Sequence, residues 1–171
     1  MTSDGSSTYL YDVENRLVRV TGGGRTTNLY YDPLGRLYRM VDTQSGETGF
    51  LHDGNALVIE YNAASGTILR RHVYGSNLDA DDPLLTYEGS VQTSTARRYL
   101  HADPRGSIVA VADWRGVLSE TNSYDAYGIP DTATGDDIAT KGRFRYTGQV
   151  WLPEIGLGFG QRPQRCRRLR Y

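Results

Sequence analysis

The sequence predicts an all-β protein of consecutive antiparallel β-hairpins, laid side by side into a twisted open sheet or a fragment of a β-solenoid shell. Composition is the first observation: Tyr and Gly number 13 and 20, while Phe and Met number 3 and 2. That balance favours rings on a pleated surface joined by tight reversals, not a Leu-rich helical bundle. The second is periodicity. Apolar residues alternate with period two, and no capped amphipathic stretch reaches helical length. The third is repetition: YLYDVENRLVRV at 9–20 and LYYDPLGRLYRM at 29–40 align without gaps at a spacing of 20 residues.

Along the chain, residues 1–8 are expected to form a disordered N-terminus. Residues 9–75 read as repeat hairpins, in which Tyr11, Asp12, Arg16 and Leu17 align with Tyr31, Asp32, Arg36 and Leu37. In the second unit Asp32-Pro33-Leu34-Gly35 makes the reversal: Asp suits the first turn position, Pro presets φ at the next, and Gly tolerates positive φ at the end. Arg36 to Met40 then returns as a half-buried strand with one polar and one apolar face. FLHDGNALVIEYNAASGTILRRHVYG at 50–75 echoes the unit more loosely. Residues 76–97 read as a loop-rich connection with room for one irregular strand. In 98–157, Ile108, Val109 and Val111 form a strand, Asp113 to Gly116 a turn, and Val117 to Tyr124 the return. A further loop, rich in Asp, Thr and Gly, is expected at 129–142, and a basic, disordered tail at 158–171.

Hairpins of this size bury too little apolar surface alone and must stack on neighbours, which leaves sheet edges open to pairing.

Chemistry-bearing patterns are sparse. Asp12, Asp32, Asp103 and Asp125 each begin a turn, spread along the chain, so they read as turn-capping side chains and not as an acid/base pair or a calcium cage. His52, His72 and His101 are far apart with no cysteine nearby, unlike a zinc site. Ser107 follows Gly106 but lacks the nucleophile-elbow pattern, and TGGGR at 21–25 lacks the Lys-Ser/Thr of a phosphate loop. Catalytic, metal and cofactor residues are therefore assigned to none. No uncharged apolar run reaches the roughly 18 residues of a membrane span, and no secretory signal opens the chain. Compartment stays open.

The net charge of −1 hides an asymmetry: residues 158–171 carry 5 of the 19 basic residues and no acid, leaving 14 basic against 20 acidic residues, or −6, elsewhere. Without an aromatic platform or a folded module, that tail does not predict nucleic-acid binding. Its Cys166 is the single cysteine, so no internal disulfide can form, and an intermolecular one is expected.

The YDxxxRL and YDPLGRL units resemble the tyrosine-aspartate (YD) repeats of the bacterial Rhs (rearrangement hotspot) family. The ordered string RYLHADPRGSIVAVADWRGVLSETNSYDAYGIP followed by GRFRYTGQVWLPEIGL resembles the Rhs repeat-associated core. The motif positions are Tyr11, Asp12, Arg16, Leu17, Tyr31, Asp32, Gly35, Arg36, Leu37, Asp103, Gly106, Tyr124, Asp125 and Gly128. The resemblance implies a β-ribbon that, in full-length relatives, spirals into a shell enclosing a C-terminal toxin. Its implied partners are upstream repeats and that toxin; relatives described as carbohydrate-binding imply cell-surface sugars, which Trp114 and Trp151 could stack against. The match stops at Leu157, before the segment that supplies the family's aspartyl autoprotease, so no position inherits that role and the tail reads as a diverged or out-of-frame remnant. The resemblance thus implies a non-enzymatic shell fragment, with a carbohydrate-binding or cell-surface interaction module as the alternative.

Overall fold

The computed structural model describes residues 2–3, 5–76, 82–125, 128, 138 and 142–155. The expected loop at 129–142 and the basic tail with Cys166 lie largely or wholly outside them.

Among the described residues the fold is one open antiparallel sheet of 12 strands whose spatial order is the chain order. The strands are β1 (Thr2–Ser3), β2 (Ser7–Tyr11), β3 (Leu17–Gly22), β4 (Arg25–Tyr31), β5 (Leu37–Asp42), β6 (Gly46–Asp53), β7 (Ala56–Asn62), β8 (Ile68–Tyr74), β9 (Pro83–Glu88), β10 (Arg97–Ala102), β11 (Ile108–Ala112) and β12 (Leu118–Thr121). Short 3-10 turns lie at Ser94–Ala96, Tyr146–Gly148 and Pro153–Ile155.

One expectation needs correction. Residues 2–3 and 7–8 are not a free leader: Thr2 and Ser3 pair with Tyr9 and Thr8 as β1 against β2, which satisfies backbone groups that a solitary β2 would leave unpaired. The stretch 76–97, with its room for one irregular strand, holds β9, bonded to β8 on one side, with a register break between Val73 and Tyr74, and to β10 on the other. Its PLLTYE sequence looks weak alone, but two neighbours supply its partners.

The repeated turn has a single construction. Asp12, Asp32, Asp103 and Asp113 each donate their amide to the carbonyl four residues on, and the residue three on donates back to the Asp carbonyl. Each carboxylate Oδ1 also accepts the amides two and four residues on, as in Leu34 and Arg36 to Asp32, both at 2.9 Å. Position four of the turn must be left-handed. Gly35 is at φ 80°, and Asn15, its counterpart in the first unit, is held at φ 64°. The odd loop length leaves one extra residue on the return strand. Pairing passes from Tyr30↔Arg39 to Tyr31↔Leu37, and from Leu10↔Arg19 to Tyr11↔Leu17.

One face of the sheet is apolar. Tyr9, Val20, Leu29, Leu37, Met40, Phe50 and Leu57 form a buried row across β2 to β7, closed by Leu152 and Ile155. A second cluster joins Leu100, Ile108 and Val111 to Phe144. Both are completed by residues 142–155, a strap that runs over this inner face.

Candidate functional site

Where the strap meets the middle of the sheet, charge is buried. Glu60 on β7 faces Arg70 on β8, which faces Glu88 on β9; one step along, His72 faces Thr86. In an antiparallel sheet directly opposed residues share a face, so register alone gathers these groups under the strap. The Glu60 side chain is fully buried. Arg143 comes down from the strap and clamps it twice, Nε donating to Oε1 at 2.9 Å and Nη2 to Oε2 at 2.6 Å. Arg143 Nη1 donates to the Trp151 carbonyl at 2.8 Å and lies 3.5 Å from Glu154 Oε2. His72 Nε2 stands 2.9 Å from Glu60 Oε1, His72 Nδ1 2.9 Å from the Thr86 hydroxyl, and Arg70 Nη1 3.3 Å from Glu60 Oε2. Phe144 closes the cluster, its ring edge-on to His72 with centroids 4.8 Å apart.

Burial by itself would raise the Glu60 carboxyl. The Arg143 charge and the hydrogen bonds from His72 and Arg143 outweigh it and hold the group well below the usual carboxylate range. Glu60 is thus a fixed anion with its oxygens occupied, the opposite of a general acid or base poised near neutrality.

A second anchor lies at the strap's far end. Asp42 accepts Arg25 Nε at 2.7 Å and Nη2 at 2.9 Å, and the Ser45 amide at 2.7 Å. Thr27 Oγ1 stands 2.7 Å from Asp42 Oδ2 and 2.9 Å from the Glu154 carbonyl, so its one proton is shared between sheet and strap. Burial tends to raise Asp42 too, but Arg25 and Thr27 hold it far below its ordinary value.

The third anchor ties the late motifs together. The Ile108 amide donates to the Arg145 carbonyl at 3.1 Å, and the Thr147 amide to Ser107 Oγ at 3.0 Å. Arg145 Nη1 donates to Asn122 Oδ1 at 2.6 Å, and the Asn122 side-chain amide and the Tyr124 hydroxyl both donate to the Ile108 carbonyl. The Tyr146 ring lies so close over Gly128 that a Cβ there would come within 2.4 Å of it.

The motif residues read from the sequence are brought together as stitches between hairpins. The Tyr31 hydroxyl donates to the Leu17 carbonyl of the preceding hairpin at 2.8 Å, and Tyr124 repeats the move on Ile108. Leu17 and Ile108 each lie five residues beyond a turn aspartate, Asp12 and Asp103. Arg16 and Arg36 donate Nε to their own Asp12 and Asp32 at 2.7 Å, and Arg36 also reaches the Gly54 carbonyl of the next hairpin. Gly106 and Gly128 close turns on Asp103 and Asp125, and Leu37 joins the core.

The two tryptophans separate. Trp114, on the β11–β12 turn, is 38% exposed with the Arg115 guanidinium 4.7 Å from its ring centre. Trp151 is buried at 3%, so the stacking expectation fails there: the strap turns its indole into the core, leaving no face for a sugar.

Sequence reasoning did not single out Glu60, Asp42, Arg143 or Arg145. The available signals were a lone acid inside ALVIEYN, and two arginines flanking Phe144 in GRFRY. Among the described residues no group of three or more His, Cys, Asp or Glu side chains is placed to hold a metal, and no helix is long and apolar enough to cross a membrane.

No family model matches the chain. It is 31% identical over 161 residues to tRNA nuclease WapA of Bacillus subtilis strain 168, and 30% identical over 162 residues to tRNA3(Ser)-specific nuclease WapA of Bacillus spizizenii. Each match covers 91% of this chain, which spans only 6% of the length of either relative. Among solved structures it resembles TcdB2-TccC3, with TM-score 0.60 at 16% identity over 88% of this chain and 8% of that one. It also resembles a Photorhabdus luminescens Tc holotoxin pore, with TM-score 0.52 at 15% identity over 89% of this chain and 8% of that one. These likenesses support the all-β repeat fold and an Rhs-like relationship.

Proposed function

We propose that this chain is a non-catalytic wall segment of an Rhs-type toxin shell, and that residues 142–155 fasten its early and late hairpins into a single rigid plate. One observation carries the reading: the buried Glu60 and Arg143 are consumed in a pair that holds strap to sheet, and the buried Asp42 in its pair with Arg25. A reactive site leaves a group free to exchange protons or bind a substrate. Here the oxygens of Glu60 are filled by protein donors.

The relatives named as tRNA nucleases match this chain over a small fraction of their length, and under this reading their nuclease activity belongs to other parts of those proteins. Carbohydrate binding, the second reading, now rests on Trp114 alone.

Two measurements test the proposal. Purified chain incubated with total tRNA should leave it intact, with or without divalent cations; cleavage that survives repurification would overturn the non-catalytic assignment. Grafting this chain into WapA of Bacillus subtilis, in place of the segment it matches, should preserve protease resistance of the whole protein. A chimaera that is cut throughout, although the isolated chain melts cooperatively, would overturn the wall assignment.

A further inference from the structure

Five arginines of the inner face and the hairpin tips meet carboxylates: Arg16 with Asp12, Arg25 with Asp42, Arg36 with Asp32, Arg70 with Glu60 and Glu88, and Arg143 with Glu60. The face turned away from the strap differs. Arg19 donates to the Asn28 side-chain oxygen at 2.7 Å, Arg71 to the Ser90 carbonyl at 2.9 Å, and Arg97 to the Tyr99 hydroxyl at 3.0 Å. All three acceptors are neutral, and none of these arginines makes an ion pair among the described residues.

Register puts Arg71 and Arg97 in one row. Ile59 faces Arg71, Arg71 faces Tyr87, and Tyr87 faces Arg97. The two guanidinium-bearing strands, β8 and β10, stand about 10 Å apart. The Arg97 guanidinium lies 5.5 Å from the Tyr87 ring centre and 5.9 Å from that of Tyr99, so aromatic faces orient it without neutralising it. Apolar side chains are exposed on the same face: Leu51, opposite Ile59, is 53% exposed, and Val73, next along β8, is 42% exposed. The carboxylate of the adjoining row, Glu47, is already taken by Arg39 at 2.8 Å.

We propose that this outer face docks a protein partner whose surface interleaves carboxylates with apolar or aromatic side chains. Charge complementarity selects the carboxylates, because Arg71 and Arg97 are oriented cations that the chain leaves uncompensated. The apolar component selects a protein over a simple polyanion, since Leu51 and Val73 gain nothing from a sulfated or phosphorylated chain. Tyr and Arg with few acids is also the composition of the energetically dominant part of protein interfaces.

A fluorescently labelled random copolymer of Glu and Tyr serves as the probe, compared by anisotropy with poly-Glu and heparin at about 0.15 M salt, where exposed charges are screened within ~8 Å. The Glu-Tyr copolymer should bind about tenfold or more tighter than either comparator. Arg71→Gln with Arg97→Gln should weaken it about tenfold, whereas Arg105→Gln with Arg115→Gln, an equal charge change at the hairpin tips, should not. Equal circular-dichroism melts of both double variants secure the comparison. Equal affinity for all three polymers, no binding, or equal loss in the tip variant would overturn the proposal. So would a concentration-dependent dimer, seen by sedimentation and abolished by the Arg71/Arg97 changes, which would give the face to a second copy of this chain.

Discussion

Replacing Arg143 with Met should unlatch the strap while keeping most of the side chain's bulk. The guanidinium supplies two of the hydrogen bonds to Glu60 and one to the Trp151 carbonyl. Without it Glu60 stays fully buried with only His72 at 2.9 Å and the longer Arg70 contact at 3.3 Å. Stranding one member of a buried ion pair costs about 3–5 kcal/mol, and Arg70 holds the loss toward the lower end. For a domain of this size that is a fall in Tm of roughly 6–12 °C. Glu60→Met combined with Arg143→Met removes both charges and should lie closer to the parent than Arg143→Met does, by about 2 kcal/mol. Urea unfolding followed by tryptophan emission in a Trp114→Phe background isolates Trp151, whose carbonyl Arg143 holds. A single variant within about 1 kcal/mol of the parent would refute the latch, as would a double variant as unstable as the two single changes summed.

Acid should loosen the same anchors. Because the folded Glu60 carboxyl is depressed, the unfolded chain binds its proton first. Its stabilisation is complete above about pH 5 and is lost as pH falls below the unfolded pKa near ~4.3 toward the folded value. Glu60→Gln should flatten that part of the stability–pH curve in urea titrations, and a curve parallel to the parent's would contradict it. Tyr31→Phe deletes the hydroxyl bond to the Leu17 carbonyl and should cost about 0.5–1.5 kcal/mol in thermal or urea unfolding; no change would show that the stitch is idle. Gly128→Ala places a methyl 2.4 Å from the Tyr146 ring at a backbone φ of 82°. It should cost about 2 kcal/mol or more and shift the near-ultraviolet dichroism of the tyrosines, whereas an unchanged melt would deny the close approach.

The local grammar was legible because it is local. Asp32 and Gly35 specify a reversal through contacts no more than four residues long, and the chain order of strands follows when each reversal is short. Strand β9 was legible only as room for one irregular strand, since PLLTYE draws its order from β8 and β10 and not from its own pattern. The candidate site was illegible for the same reason enlarged. Glu60 and Arg143 are 83 residues apart, and Thr27 reaches Glu154 across 127. Period-two alternation marks which residues share a face, but not which strand lies opposite or what crosses above. Trp151 illustrates the limit, because its aromatic ring suits an exposed platform and a core equally until the strap's path is known.

By itself, then, the sequence determined the hairpin unit, its turn chemistry and the all-β class, all consequences of short-range sterics and hydrogen bonding. Only the tertiary structure decided that the last motifs fold back over the first, and which charges that return buries. Glu60 is an anchor and not an ordinary surface acid because Arg143 arrives from outside its own strand, and that charge contributes most to making its burial tolerable.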